Sequence, residues 1–490
     1  MGNGHRNAIV QRIRRYKKIY ILHSSVMDYD SNAVENMGDN VVILPMSYVV
    51  DLEERNKSYS NASIESTREI SSRLDEYAKR GLLAEGVKTD AGGLLLVGWE
   101  TAKMGEWPSR LPQNGSSMTI MLAKYYQAHY GNTHKVALIS TNRDTRALAR
   151  SLRVNCEEYN FSKVIKNLEE KYTGFAEVTL EEGEEGFLTQ LYTDKSLDVK
   201  MLSAAPEMEM FYQNQCCRLI SKKGDKSALA IFKKQDFKFQ LVKTTFDFIG
   251  KRGVAPVNPE QCFLYHLLMD PTITLITCDG KAGTGKNFVV GMAGLELLDK
   301  QAISAVEFYR PQSVVEKGMG YLPGTKEDKF SPWSRPIFDT FSQFKGEDSY
   351  NGQTPARGKG GAKVPVNRPL NEMTQQKIPQ WFKNMLDGGI IEILPLTWIR
   401  GRSISNRLMV VDEAQNIHPK VAKTAATRAA MNTKVVFIGD PGQIDEPALD
   451  STNNGLVHVI ERMKGQEFFG HITLIKSVRS PMAEVCADLL

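Results

Sequence analysis

Short apolar runs alternate with amphipathic stretches through the first third of the chain. Ile21-Leu22-His23-Ser24-Ser25-Val26 predicts a short strand entering a turn, and Val41 to Leu44 predicts a second strand. Pro45 and Ser47 open a helical pattern that runs through Asp51 and Arg55, and Ser58 to Arg80 has the pattern of a solvated helix. A Gly-rich stretch from Asp90 to Gly98 follows, then helical spacing from Ser117 to Tyr126. Val136 to Ile139 predicts a strand, succeeded by Thr141-Asn142-Arg143-Asp144 and a helix to Ser151. Strands alternating with helices over about 160 residues predict a compact α/β domain, placed at residues 1–165.

The pattern then changes. Lys166 to Gly186 is highly charged, with an acidic centre from Glu181 to Glu185, and reads as an exposed linker or edge. Leu229 to Phe232 and Phe237 to Val242 are strand-like, so residues 166–253 are expected to hold the linker and a small β-rich module. Lys222, Lys223, Lys226, Lys233, Lys234, Lys238 and Lys243 make that module basic; they fit a solvated face or a nucleic-acid path. Alternation of strand and helix returns in residues 254–490, from Val257-Asn258-Pro259-Glu260-Gln261 onward. Residues 346–369 interrupt it with a Gly-, Pro- and polar-rich segment holding Arg357, Lys359, Lys363 and Arg368, expected to be a disordered loop or a mobile basic arm.

Composition adds bounds. The chain has 490 residues, of which 41% are hydrophobic and 24% charged, an ordinary soluble balance, and its net charge of +5 permits a polyanionic partner. Its six cysteines form no CxxC pair, which argues against zinc and for a reducing compartment. No apolar run approaches the ~18 residues of a membrane span. The basic residues Arg12 to Lys18 are followed by no signal-like apolar core. A cytoplasmic protein without a membrane partner is expected.

The chemistry centres on Gly280-Lys281-Ala282-Gly283-Thr284-Gly285-Lys286-Asn287, set between an apolar run, Ile273 to Cys278, and a helical pattern, Phe288 to Leu298. Strand, glycine loop and helix are the context of a phosphate-binding P-loop. The glycines let backbone N–H groups curl around phosphate oxygens, and Lys286 would reach the β/γ-phosphates. The usual hydroxyl ligand of Mg²⁺ is replaced by Asn287, whose carbonyl oxygen is a bulkier and poorer substitute. Leu408 to Val411 is an apolar strand ending in Asp412, expected to hold Mg²⁺, and Glu413, expected to orient and activate the attacking water. A further strand, Val435 to Ile438, ends in Gly439-Asp440-Pro441-Gly442-Gln443, where Asp440 and Gln443 can sense the γ-phosphate. Gln261 is a candidate for an adenine edge. Arg479 is the candidate cation for the developing γ-charge, with Arg400 and Arg402 as further cationic candidates.

Taken together these residues resemble the PhoH-like P-loop NTPases, relatives of superfamily 1 helicases. Arg310-Pro311, the block from Glu316 to Thr325, Lys329 and Pro332-Trp333 carry the resemblance, as do Pro395 to Arg402, Asp412 to Asn416, Gly439 to Asp445 and Val478-Arg479. The resemblance implies a RecA-like domain with a central parallel sheet, ATP and Mg²⁺ as cofactors, and a single-stranded RNA or ssDNA partner. It also implies a ring-shaped homo-oligomer, such as a hexamer, in which Arg479 acts on a neighbour's nucleotide.

The N-terminal region resembles a three-layer PIN domain, often fused to PhoH domains; the fusion implies ATP-dependent RNA unwinding and cleavage. A PIN nuclease gathers three or four carboxylates around divalent metal. Here the first maps onto His23 and the second onto Asp51. The third is expected near Ser117, in a stretch from Pro108 to Lys135 without Asp or Glu, and the last maps onto Arg143, with Asp144 one place late. The expectation is a retained PIN fold with its metal-dependent RNase activity lost; the alternative is a shifted site built from Asp28, Asp30, Asp51 and Asp144. Three functional readings compete. The first is an ATPase driving RNA or ssDNA remodelling or unwinding, as a helicase would. The second is a non-catalytic ATP-dependent scaffold, and the third an active PIN endoribonuclease coupled to an ATPase.

Overall fold

The computed structural model describes residues 10–57, 64–98, 107–160, 164–244, 254–311, 326–344, 379–446 and 449–478. The chain forms two compact units, Met1–Lys163 and Val164–Leu490. Among the described residues no helix is long and apolar enough to cross a membrane.

The first unit is built on a six-stranded sheet. Its strands are β1 (Lys18–Leu22), β2 (Val41–Pro45), β3 (Val87–Lys88), β4 (Leu94–Gly98), β5 (Lys135–Ser140) and β6 (Cys156–Glu158). They lie in the order β3-β4-β2-β1-β5-β6, parallel except for β3. The central strands are buried apolar runs, as expected where helices cover both faces of a parallel sheet. Three helices begin just beyond strand ends: α1 (Ser24–Tyr29), α3 (Met46–Lys57) and α6 (Arg143–Ser151), with α2 (Ala33–Asn36), α4 (Ile64–Arg80) and α5 (Gly115–Tyr130) between. Asn114 and Asn142 cap α5 and α6 by accepting from backbone N–H groups of the first turn.

The second unit holds two sheets. β7 (Phe175–Thr179), β8 (Ser196–Asp198), β9 (Gln215–Ile220), β10 (Ser227–Lys233) and β11 (Lys238–Leu241) form the first, in the order β7-β9-β10-β11-β8. The helix α7 (Gly186–Asp194) packs on it around Leu188 and Leu191. The other sheet is wholly parallel, ordered β14-β13-β15-β16-β12-β17. Its elements are α8 (Pro259–Met269), β12 (Leu275–Gly280), α9 (Lys286–Asp299), β13 (Ala305–Arg310), α10 (Lys326–Phe341) and α11 (Gln380–Asp387), then β14 (Ile391–Pro395), β15 (Arg407–Val411), α12 (Pro419–Ala426), β16 (Lys434–Gly439), α13 (Gly455–Met463) and β17 (Phe469–Leu474).

The charged stretch before the module is more than a linker. Phe175–Thr179 is an edge strand, and the residues leading into it are anchored under the parallel sheet. Lys171 pairs with Asp279 at 2.8 Å, both side chains buried, and donates to Thr473 Oγ1 at 3.0 Å. Thr473 Oγ1 donates to Asp279 Oδ1 at 2.6 Å, and Thr473 N donates to Thr173 O. His471, buried beside them, shares a hydrogen bond with Thr277 Oγ1 at 2.8 Å. The two sheets are thus fastened through β17, which also receives Asn214 Nδ2 on Phe469 O. The acidic run and the lysines of the module satisfy one another: Lys222 pairs with Glu181 and Lys226 with Glu185. Lys233 is held by Asp270, and Lys234 donates to the carbonyls of Glu209 and Phe211.

Candidate nucleotide-binding site

Every strand of the parallel sheet that ends in polar residues delivers them to one edge, the carboxyl edge where open parallel sheets take ligands. β12 runs into the glycine loop, and α9 begins at Lys286. Gly285 stands just before the helix at φ +89°, and a Cβ there would strike the Gln261 amide. The first turn of α9 leaves backbone N–H groups without helical partners, which is what an anion needs. Lys286 Nζ lies over the loop, donating to Gly280 O at 2.5 Å and Lys281 O at 3.1 Å. Val478 N donates to Gly283 O at 3.0 Å, so the segment after β17 closes against the loop.

The loop forms one wall of a cavity of about 760 Å³. Asp412, Glu413, Asp440 and Gln443 reach it from the ends of β15 and β16, Asp339 from α10 and Gln343 from the turn just after α10. Asp412 is buried, and burial pushes its carboxyl up to about 6 against the pull of Arg310. Its Oδ1 accepts from Glu413 N at 3.0 Å. Its Oδ2 sits 3.1 Å from Arg310 Nε and 3.5 Å from Asn287 Nδ2. Asn287 Oδ1 is buried and accepts no hydrogen bond among the described residues. A buried, unsatisfied carbonyl oxygen beside a buried carboxylate is a donor set suited to a hard divalent cation, so the residues present fit Mg²⁺.

Glu413 is held in a strained conformation, with φ +54°. Gln415, fully buried, fixes its side chain: Nε2 donates to Glu413 Oε2 at 2.7 Å and to Gln443 O at 2.8 Å, while Oε1 accepts from Asp440 N at 3.0 Å. One amide therefore ties the end of β15 to the end of β16. Gly439 makes room for it, since a Cβ there would collide with Gln415 Oε1.

Lys286, Asn287, Asp412, Glu413, Asp440 and Gln443, all expected from the sequence, come together around this cavity. Gln261 lines it too, but its amide is engaged by the chain: Nε2 donates to Thr284 O at 2.9 Å and Oε1 accepts from Val257 N at 3.0 Å. It braces the loop. Arg402 is tied to the buried Glu307 at 2.9 Å and donates to Tyr309 Oη at 2.8 Å, an ion-pair role within the sheet. Arg479, the block from Glu316 to Thr325 and residues 346–369 lie outside the described residues. Arg310 and Gln415 entered from the sequence only as marks of the family resemblance, with no role in the site given to either. The signals were a cation closing the apolar run of β13 and an amide two places after Glu413.

In the first unit, His23 sits in a network of serine hydroxyls. His23 engages Ser25 Oγ through Nδ1 at 2.9 Å and Ser116 Oγ through Nε2 at 2.8 Å. Burial lowers the His23 pKa to about 4, so it is uncharged at neutral pH. Asp51 lies near the start of α5, where Ser117 Oγ is buried without a partner among the described residues. Arg143 and Asp144 are exposed in the first turn of α6. Asp28 is taken by Arg55 at 2.9 Å and by the Tyr48 hydroxyl, and Asp30 by the Tyr159 hydroxyl and Asn36. Among the described residues no three His, Cys, Asp or Glu gather as a metal site.

Residues 253–490 match the family model described as PhoH-like protein. Protein PhoH2 of Bacillus subtilis (strain 168) is 31% identical over 480 residues, covering 96% of this chain and 100% of that protein. Protein PhoH2 of Thermobispora bispora is 29% identical, with 96% of each chain covered. The shorter match, a PhoH-like protein of Bacillus subtilis, is 28% identical over 205 residues, 41% of this chain and 54% of that protein.

Proposed function

The chain belongs to the PhoH-like P-loop NTPases that carry an N-terminal PIN-like domain, and from that premise we propose that it hydrolyses ATP to remodel single-stranded RNA or DNA. The observation that carries hydrolysis, rather than nucleotide binding alone, is Glu413 clamped by Gln415 at the wall of the loop's cavity. A scaffold that only bound ATP would have no use for a carboxylate fixed in a strained conformation. The loop amides and Lys286 bind the phosphates. Asn287 and Asp412 would hold Mg²⁺, which would offset the charge of the phosphates. Glu413 orients the attacking water and receives its proton. Asp440 and Gln443 face the γ-phosphate, and Arg479 supplies the cation, on a neighbour's nucleotide if the chain assembles as a ring.

Steady-state ATP turnover, with and without single-stranded RNA, tests this reading. Lys286→Ala is expected to abolish nucleotide binding. Glu413→Gln is expected to keep binding and lose at least ~100-fold in kcat. Full turnover in Glu413→Gln would reduce the chain's role to nucleotide binding plus an unrelated hydrolytic site.

The PIN-like domain, in this proposal, has given up metal-dependent cleavage. His23 and Arg143 stand where carboxylates would be needed, and the nearby hydroxyls offer metal no charge to bind. Labelled RNA incubated with the protein and Mg²⁺ or Mn²⁺ should stay intact. Cleavage that disappears in Asp51→Ala would sink this part.

A further inference from the structure

Arg310 is the last residue of β13, placed beside Asp412 by the sheet itself. Tyr309 pairs with Val411 across the parallel strands, and Asp412 N donates to Tyr309 O at 2.9 Å. The guanidinium is mostly buried, its side chain 13% exposed, and it spans both acids: Nε at 3.1 Å from Asp412 Oδ2 and a terminal nitrogen at 3.4 Å from Glu413 Oε1. Asp412 Oδ1 is already committed to Glu413 N. The oxygen facing Asn287 is therefore the one Arg310 covers. Asn287 reinforces this arrangement. Its N–H group points to Asp412 Oδ2 while its carbonyl, the atom a cation would use, has no partner.

Resting on the nucleotide-site reading above, we infer that Arg310 and the divalent cation compete for Asp412 Oδ2, which makes Arg310 the positioning residue that sets the cation requirement of the site. Two cations cannot share one buried carboxylate oxygen without strong repulsion. Binding of the metal-nucleotide thus requires the guanidinium to leave Asp412, while its contact with Glu413 can persist.

Equilibrium binding of a fluorescent ATP analogue, titrated with Mg²⁺, reads the competition directly. Arg310→Ala is expected to lower the half-saturating Mg²⁺ concentration about tenfold. Arg310→Gln, which keeps a planar hydrogen-bonding group without the charge, is expected to shift it the same way, so a fold defect in the alanine variant does not decide the matter. Arg310→Lys restores a charge and should stay near the wild-type value. Mn²⁺ binding without nucleotide, followed by electron paramagnetic resonance, should tighten in the same two neutral variants. An unchanged or higher cation requirement in folded Arg310→Gln overturns the competition. Wild-type protein that is folded yet binds no nucleotide at any Mg²⁺ concentration overturns the nucleotide-site reading instead.

Discussion

Position 287 carries an amide where the loop chemistry calls for a hydroxyl, and an amide has two ends. One points a donor at Asp412 Oδ2 across a long 3.5 Å contact, and the other leaves a buried acceptor open. A threonine would present an acceptor without the competing N–H. Asn287→Thr is therefore expected to raise kcat several-fold at subsaturating Mg²⁺; lower turnover would show that the asparagine is suited to the site as it stands. Gln415 is the second residue with a function larger than its size. Gln415→Met keeps the volume and drops three hydrogen bonds, and it should cost ~100-fold in kcat with nucleotide affinity changed less than about twofold. Stopped-flow nucleotide binding beside steady-state turnover separates the two effects. Lys286, Asp412 and Glu413 were legible in the sequence because phosphate chemistry demands those residue types after a glycine loop or at the end of a buried strand. Gln261 was read as a ligand for the base, yet one end of its amide holds the loop at Thr284 and the other holds Val257. Which way an amide points depends on neighbours far away in the chain, and no local pattern encodes it.

Among the elements, β12 carries the loop and is itself held from below. Asp279, the last residue before Gly280, forms a buried ion pair with Lys171, which arrives from the segment leading into β7. Removing one partner of a buried pair leaves an uncompensated charge, so Lys171→Met is expected to destabilise the unit by ~3–5 kcal/mol. The double variant Lys171→Met/Asp279→Leu should recover much of that loss in urea denaturation. Recovery of nucleotide affinity along with stability would mean that Asp279 serves the strand rather than the loop. The charged stretch holding Lys171 reads as a surface linker from composition alone. Its partners, Asp279 and Thr473, lie far along the chain, and a lysine that is buried looks in sequence like any other. The strands around it were readable because each is a short apolar run; the packing of one sheet on the other was not.

At the scale of the whole chain, each unit buries a histidine that its fold keeps neutral. Burial lowers the pKa of His23 in the first unit and of His471 in the second to about 4. An unfolded histidine titrates near 6.5, so below that pH the unfolded state binds protons that the folded state refuses. The stability tied to neutral burial is whole above pH 6.5 and falls as the pH drops toward 4. By pH 5 each histidine should have cost its unit about 2 kcal/mol. Thermal unfolding from pH 7.5 to pH 5 checks this, and a flat profile would contradict it. The strand order of the parallel sheet has a consequence for biosynthesis. β12 lies between β16 and β17, both made long after it. On the ribosome the strand that carries the phosphate loop waits with both edges bare until Lys434–Gly439 and then Phe469–Leu474 emerge. The loop can be shaped only after both neighbours have emerged, so a chain that stalls before Phe469 should take no nucleotide.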